Sequence, residues 1–404
     1  MLTLDEALAR LIASTQPFPA AEAETVSIFD ARGRVLAVEV RSRIDVPPAD
    51  NTSMDGYALR AADVAGTGAV LPVSQRIAAG TPPLPLAPGT AARIFTGAQV
   101  PAGADAIVMQ EDCEPIAGAV RVNVVPAAGQ WVRRRGEDVR AGAVVLPAGT
   151  RLAPQALGLA ASVGAASLTV ARRPRVALFS TGDELVMPGE PLKPGAIYNS
   201  NRFTLRALIE ALGCECTDLG IVPDRLDATR AALREAARHS DLIVTSGGVS
   251  VGEEDHLRPA VQAEGRIDLW QIAIKPGKPL AFGEVRREDG GSAYFIGLPG
   301  NPVSSFITFL LAVRPVLLHL QGVTDWQPRA VPMRADFDWP KPDRRREFLR
   351  ARRNAAGGLD LFANQSSGVL TSAVWGDGVV DNPAGQVILA GEAVRFIAFS
   401  EWLA

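Results

Sequence analysis

The chain is short of the residues that build soft metal centres and covalent cross-links. Its 404 residues include three cysteines, Cys113, Cys214 and Cys216, and three histidines, His239, His256 and His319. No C-x-x-C pair occurs, and Cys214 and Cys216 would share a side of a strand or face opposite ways on a helix. A disulfide frame is not expected, and the odd, sparse count fits a reducing compartment. A zinc centre of histidine and thiolate has too few ligands, so any metal should be held by oxygen. A basic excess is missing too. Lysine plus arginine number 41 against 44 acids, a net charge of −3, which argues against a general nucleic-acid binder. A small anion can still be served by local cations. Membrane segments are also wanting. Met1 to Ala7 carries Asp5 and Glu6 early and lacks the apolar stretch of a signal peptide. Positions 152–171 are uncharged but hold Pro154 and Gln155, and read as a helix followed by a strand. The apolar run Phe306–Val313 is too short to span and meets Arg314-Pro315. The expectation is a cytoplasmic protein that engages neither membrane nor nucleic acid.

What is present is a long globular chain, 47% hydrophobic and 21% charged, enough for about two to four domains. Thr3 to Thr15 predicts a helix, with Leu4, Ala7, Leu8, Leu11 and Ile12 on one face. Val35 to Val40 reads as a strand. Pro47 and Pro48 then break regular structure, and Asp50, Asn51, Thr52, Ser53, Asp55 and Gly56 crowd into a polar loop. Such a loop is a turn or a ligand site. Val70 to Val125 alternates in short runs broken by glycine and proline, a β signature, with Thr96 and Gly97 at a bend between two strands. Arg133, Arg134 and Arg135 lie beside Glu137 and Asp138; such a run is a solvated face or an anion contact.

After Arg172-Arg173-Pro174 the pattern becomes α/β. Strands are expected at Val176–Phe179, Asp218–Val222 and Leu242–Val244. Helices are expected at Arg202–Gly213, with Asn201 as cap, and at Asp224–His239. This alternation implies a mainly parallel, doubly wound sheet whose ligands gather at the carboxyl ends of its strands. Polar loops follow three of them. One is Ser180-Thr-Gly-Asp-Glu184. A second is Thr245-Ser-Gly-Gly-Val-Ser250, whose N–H groups and hydroxyls suit an anion, with Glu253, Glu254 and Asp255 close behind. The third is Gly297-Leu-Pro-Gly-Asn301, which leads into a helix from Ser304 to Leu320 and aims its N-terminus at the site. Ile274-Lys-Pro-Gly-Lys-Pro279 adds two lysines. Carboxylates, lysines and a helix N-terminus on one sheet edge suit a phosphorylated ligand with a divalent cation. Positions 330–404 read as a small β-barrel or sandwich. Arg344, Arg345, Arg346, Arg350, Arg352 and Arg353 make its first part basic; most are read as solvated, with Arg350 and Arg352 on one strand face.

Seven pieces occur in a fixed order: Met54-Asp-Gly-Tyr-Ala58, Thr96-Gly-Ala-Gln-Val-Pro-Ala-Gly-Ala-Asp105, Gly136-Glu-Asp138, Ser180-Thr-Gly-Asp-Glu-Leu185, Ser246-Gly-Gly-Val-Ser-Val-Gly252 with Asp255, Ile274-Lys-Pro-Gly-Lys-Pro279 and Leu298-Pro-Gly-Asn-Pro302. A chain with this ordered set resembles the molybdopterin molybdenumtransferase family, which includes MoeA and the gephyrin E domain. The resemblance implies a multidomain α/β and β fold. Residues 1–40 and 141–171 would form an elongated N-terminal domain of two segments, and 41–140 an inserted β-rich domain. Residues 172–322 would be a doubly wound molybdopterin-binding α/β domain, and 323–404 a C-terminal β-barrel.

The implied reaction inserts molybdate into adenylylated molybdopterin, with Mg²⁺-dependent release of AMP, to give molybdenum cofactor. The implied assembly is a homodimer whose active cleft joins the α/β domain of one subunit to the inserted domain of the other. Further implied partners are molybdopterin adenylyltransferase and molybdoenzymes. Carried over position by position, the catalytic set is Asp55, Thr96, Asp138, Glu184, Asp224, Asp255, Lys275 and Lys278, with Glu184 and Asp255 holding Mg²⁺. The substrate-binding set is Ser246, Gly247, Gly248, Ser250, Pro299, Gly300, Asn301, Arg350, Ser367 and Ser372. Gln271 stands where many bacterial members carry lysine, and Ser366-Ser-Gly replaces the usual Gly-Ser-Gly, so Ser367 and Ser372 both stay in the set. The rival readings are a molybdopterin adenylyltransferase, which resembles the α/β domain alone, and a non-enzymatic gephyrin-like scaffold.

Overall fold

The structure, a computed structural model, describes residues 1–248 and 256–403. Helix α1 (Leu4–Ala13) begins at a capping box in which Thr3 and Glu6 satisfy each other's backbone N–H groups. Its buried stripe of Leu4, Ala7 and Leu11 packs into the α/β core, and Leu2 bridges Ile272. The chain then leaves that core. Strand Glu24–Ser27 pairs antiparallel with Ser167–Val170, and Val40–Arg41 pairs with Val144–Leu146. Together with α2 (Pro154–Ser162) these strands enclose Leu36, Leu146, Leu152, Ala160 and Leu168. Pro154 sits in the first turn of α2, where a missing N–H costs nothing. The continuous strand expected over Val35–Val40 does not form. Val35 bridges Arg151 while Leu36 bridges Val170, so the partners diverge and no ladder builds.

Between these two segments lies a six-stranded mixed sheet in the order Ala106–Met109, Gly56–Leu59, Ala91–Ile94, Ala69–Ile77, Ala119–Val122, Cys113–Ile116. Alternation along Gly56–Leu59 sends Tyr57 and Leu59 to one core and Ala58 to another. The expected bend at Thr96 and Gly97 follows the strand Ala91–Ile94, and Gly97 has φ +82°.

The α/β unit carries strands β1 (Arg175–Thr181), β2 (Glu215–Val222), β3 (Leu242–Ser246), β4 (Gly265–Gln271), β5 (Pro279–Arg286) and β6 (Ser292–Leu298) in the spatial order β2-β1-β3-β6-β5-β4. The first four in that order are parallel, and β5 and β4 are antiparallel additions. On one face α3 (Ser200–Ala211) and α6 (Pro302–Leu320) bury Leu205, Ile209, Val303 and Leu317 against Val176 and Leu178. On the other, α4 (Leu226–His239) and α5 (Leu257–Glu264) bury Leu233, Ala237 and Val261 against Ala177 and Phe179. The cap of α3 is Asn199, whose Oδ1 accepts from the Arg202 N–H at 3.1 Å. Asn201, the expected cap, falls inside the first turn and donates to the Gly300 carbonyl at 2.7 Å. Helix α6 is longer than its apolar run suggests, because a π segment over Phe309–Val313 lets it continue through Pro315. The wider turn absorbs the clash that proline makes with the carbonyl four residues back. By length and composition α6 could cross a membrane, yet 89% of its apolar window is buried inside the fold.

The last segment builds a sheet around β7 (Arg346–Arg353). Its neighbours are Leu359–Leu361 on one side and Gly378–Asn382 on the other, followed by Ala393–Ala398 and Val331–Arg334. An Ala335–Leu359 bridge joins the two ends, so the strands close on themselves as a barrel. One strand comes from elsewhere: Ile274–Lys275, from the α/β unit, adds parallel to β7 with Ile274 opposite Arg346 and Lys275 opposite Glu347. Arg346, read as solvated, is engaged instead, and Arg352, which shares a strand face with Arg350, stays exposed but meets a ring rather than an anion. Arg346 makes a two-pronged bond to Asp381 at 2.6 and 2.7 Å, and Arg352 lies 4.5 Å over the Trp375 ring. Each had a carboxylate or ring within reach that only the folded sheet supplies.

Candidate active site

The order of the strands sorts the charges. Glu184 follows β1 and Asp224 follows β2, at one end of the sheet edge. Gly247 and Gly248 follow β3, and Pro299, Gly300 and Asn301 follow β6, in the middle. Lys275 and Lys278 lead into β5; because β5 runs antiparallel, its start lies at the edge where the parallel strands finish. All of these line one open cavity of about 690 Å³. Neighbouring strands are about 4.8 Å apart, so the β1 and β5 loops stand roughly 14 Å from each other. The cavity thus has an acidic pole, a glycine-rich floor and a cationic pole.

At the acidic pole Glu184 folds back over Gly182. A Cβ at Gly182 would come within 2.6 Å of Glu184 Oε2, so a side chain there would displace the carboxylate from its present place. The Asp224 N–H donates to Asp183 Oδ1 at 3.2 Å, which fixes one acidic loop to the other. In the middle, the expected anion cradle is more engaged than its composition suggests. The Gly247 N–H continues the β3–β6 ladder by donating to the Leu298 carbonyl at 3.1 Å. Ser246 Oγ meets Ser180 Oγ at 3.3 Å, and Ser246 lines an adjoining cavity of about 510 Å³ that shares Glu184, Gly247, Gly300 and Asn301 with the first. The N-terminus of α6 is partly capped. Pro302 has no N–H, and the Val303 N–H donates to the Ser367 carbonyl at 2.9 Å. Ser367 therefore lines the cavity and ties the C-terminal barrel to α6. Asp255 and Ser250 lie outside the described residues.

The cationic pole is built by two units. Lys275 Nζ stands 3.3 Å from Glu347 Oε1 and 3.5 Å from Asp343 Oδ2. Glu347 is fully buried and also accepts from Trp339 Nε1 at 2.8 Å. Asp343 takes three bonds from Arg345, the backbone N–H and Nε each at 3.0 Å and Nη2 at 2.9 Å. Those bonds hold Asp343 far below the usual carboxylate range, and they raise the Arg345 guanidinium in turn. Arg345 lines the cavity, whereas Asp343 and Glu347 do not. Lys278 has no ion pair among the described residues.

Five predicted residues line neither cavity: Asp55, Thr96 and Asp138, and the buried pair Arg350 and Ser372, which face each other. Asp55 Oδ1 accepts from both the N–H and the hydroxyl of Thr96, each at 2.7 Å. These bonds keep Asp55 below its ordinary range. The pair sits on the inserted sheet, and Asp138 is exposed nearby, its N–H bonded to the Val46 carbonyl at 3.0 Å. Gln271 ends β4 and is exposed. Arg350 is 1% exposed and donates to Ser372 Oγ at 3.0 Å and the Phe348 carbonyl at 3.1 Å. Burial pulls its guanidinium down to about 10. The residues that sequence reasoning missed in the cavity are Arg345, Gln365, Ser366, Ser304 and Thr181. Ser304 and Thr181 lie inside polar loops already singled out. Arg345 and Gln365 carry no local signal, since only the pairing of Ile274–Lys275 with β7 brings them to the sheet edge.

Comparisons with known proteins give the same answer along the chain. Residues 2–164 match the MoeA N-terminal region (domain I and II), 177–319 a probable molybdopterin binding domain, and 332–399 the MoeA C-terminal region (domain IV). A molybdopterin molybdenumtransferase of Haemophilus influenzae is 43% identical over 81% of this chain and 80% of its own length. That of Synechococcus elongatus is 36% identical over 96% and 97%. Among solved structures, a molybdopterin biosynthesis MoeA protein from Pyrococcus horikoshii OT3 aligns over 99% of this chain and 100% of its own, with TM-score 0.84 and 28% identity.

Proposed function

The chain belongs to the molybdopterin molybdenumtransferase family, and on that footing we propose that it inserts molybdenum into molybdopterin during cofactor synthesis. The finer reading is that it takes adenylylated molybdopterin and molybdate to molybdenum cofactor and releases AMP. One observation carries this: acids and cations stand at opposite ends of one cavity, with glycine-rich backbone between them. Such a cavity suits a substrate that is both a phosphate ester and the recipient of an oxyanion.

The residues divide the work by pole. Lys275 and Lys278 bind oxyanion oxygens as point charges. Glu184, with Asp255, would hold Mg²⁺, and Asp224 lines the same cavity as Glu184. The donor set fits, because a hard cation that keeps several waters needs only one or two carboxylates, and Gly182 leaves Glu184 free to face the cavity. Held there, Mg²⁺ would supply positive charge against the charge that gathers on phosphate oxygens as a phosphoanhydride breaks. Asp55, Thr96 and Asp138 line no part of this cavity, and in this reading they act on the cavity of a second copy in a homodimer.

The test is to supply adenylylated molybdopterin, molybdate and Mg²⁺ and to follow AMP and cofactor. AMP release that depends on molybdate is expected. Release that ignores molybdate, or none, overturns the proposal, and AMP incorporation from ATP would identify an adenylyltransferase instead.

A further inference from the structure

We propose that Asp45 and Asp50 are positioning residues that hold the Asp138 loop of the inserted domain in one place for the reaction. The inference rests on the functional reading above, in which Asp138 acts on the cavity of a second copy. It begins from the arginine run Arg133-Arg134-Arg135, two members of which are committed to carboxylates. Asp50 Oδ2 accepts from Arg134 Nη1 at 2.8 Å, and Asp50 Oδ1 accepts from the Arg135 N–H at 2.7 Å. Asp45 repeats the pattern: Oδ2 accepts from Arg135 Nε at 2.6 Å, and Oδ1 from the Ala141 N–H at 2.9 Å. Each carboxylate thus takes one guanidinium and one backbone N–H from the same loop. Arg135 and Ala141 flank Asp138, three residues before it and three after.

The loop needs these bonds because its ladders are short. The chain enters and leaves the inserted sheet side by side, yet Val40–Arg41 with Val144–Leu146, and Asn51–Thr52 with Val132–Arg133, are brief pairings. Between them the Gly136 N–H donates to the Pro47 carbonyl at 2.9 Å, and the Asp138 N–H to the Val46 carbonyl at 3.0 Å. The two carboxylates brace the loop on either side of those bonds. Gly136, with φ +68°, leaves room for this, since a Cβ there would come 3.3 Å from Asp45 Oδ1. The Ala141 N–H holds the Asp45 carboxyl below its ordinary range, and the Arg135 N–H does the same for Asp50. Glu137 is occupied as well, because its Oε2 accepts from the Arg134 N–H at 2.7 Å. Asp138 is exposed, and among the described residues its carboxylate has no partner. A loop that fixes its other acids and leaves this one available presents a carboxylate rather than merely closing a turn.

The experiment measures molybdate-dependent AMP release and backbone hydrogen exchange in the full-length chain. The variants are Asp45→Asn, Asp50→Asn and Asp138→Glu, and each asparagine variant combined with Asp138→Glu. Asparagine keeps the shape of aspartate but turns an N–H₂ towards one of the two donors. The Ala141 N–H in Asp45→Asn, and the Arg135 N–H in Asp50→Asn, are expected to exchange about tenfold faster. Turnover is expected to fall about tenfold in each, because a small misplacement far from the chemistry suffices. In the Asp138→Glu background the same substitutions should change kcat by less than about twofold, since residues that act through one another do not add. A merely structural loss would lower kcat equally in both backgrounds, and that result overturns the proposal. So does unchanged exchange or unchanged kcat in the folded single variants. A thermal melt identifies a variant that fails to fold, and the other aspartate then carries the test. A wild-type chain that releases no AMP with molybdate overturns the functional reading itself, while the exchange rates still decide whether the carboxylates hold the loop.

Discussion

The two poles of the cavity are built in opposite ways. The acidic pole is local: Glu184 and Asp224 stand on loops that leave β1 and β2, and each needs only its own loop and a neighbouring backbone contact. The cationic pole is assembled: Lys275 is placed by a short strand that belongs to the barrel's sheet, and its partners Asp343 and Glu347 lie some seventy residues further on. The difference teaches that charge at one end can be altered without touching the fold, whereas at the other end charge and fold are the same structure.

Four measurements would break or sharpen that contrast. The largest effect expected is on turnover in Glu184→Gln, a fall of about a hundredfold or more, with unfolding free energy within ~0.5 kcal/mol of wild type; a large stability loss would erase the claim that this pole is local. Next is Glu347→Ala, which strands the Trp339 N–H and leaves Lys275 with Asp343 alone. Removing one member of a buried pair costs ~3–5 kcal/mol, and the partial exposure of Lys275 puts the expectation near the low end, about 3 kcal/mol by denaturant unfolding. No loss there would mean that the cationic pole is not structural. A smaller effect, about 1–2 kcal/mol, is expected for Gly277→Ala. Gly277 has φ +110°, and a Cβ would come 2.3 Å from Thr308 Oγ1, so the lysine loop would be pushed off α6.

The smallest effect is a pH dependence. Asp343 is depressed in the folded chain, chiefly by its bonds from Arg345. A depressed carboxyl stabilises the fold fully above the unfolded aspartate value of about 3.9, and that contribution is lost as pH falls below it towards the folded value. Denaturant midpoints should therefore separate wild type from Asp343→Asn at pH ~6 and converge as the pH is lowered to ~2. A gap that does not narrow would show that Asp343 supports the junction by something other than its charge.

The same contrast explains what could be read from the residues alone. The acidic pole and the two lysines are legible because their loops are short, polar and attached to strands whose apolar runs are plain, as at Val176–Phe179 and Leu242–Val244. Helix α1 was legible from its stripe, whereas the pairing of residues 24–41 with 144–170 carries no local signal and was approached only through the family resemblance. Arg345 was not legible: six arginines near one another look like a solvated face until folding sets Arg345 on Asp343, Arg346 on Asp381 and Arg352 over Trp375. In the loop after β3, a run of glycine and serine does not reveal that the Gly247 N–H is still in the ladder. Asn199 rather than Asn201 caps α3, since the short strand Ile197–Tyr198 delivers the chain to the helix two residues sooner. Asp55 and Thr96 were recognisable as a polar loop, but nothing in their spacing says which cavity they serve.

The strand Ile274–Lys275 has a consequence for modularity. It belongs to the α/β unit by chain order and to the barrel by pairing, so the natural cut near residue 322 is not a clean seam. An α/β unit transplanted without residues 323–404 would carry its lysines with the wrong neighbours. A chimera exchanging barrels between relatives should work only when Lys275, Asp343, Arg345 and Glu347 travel together as one inherited block.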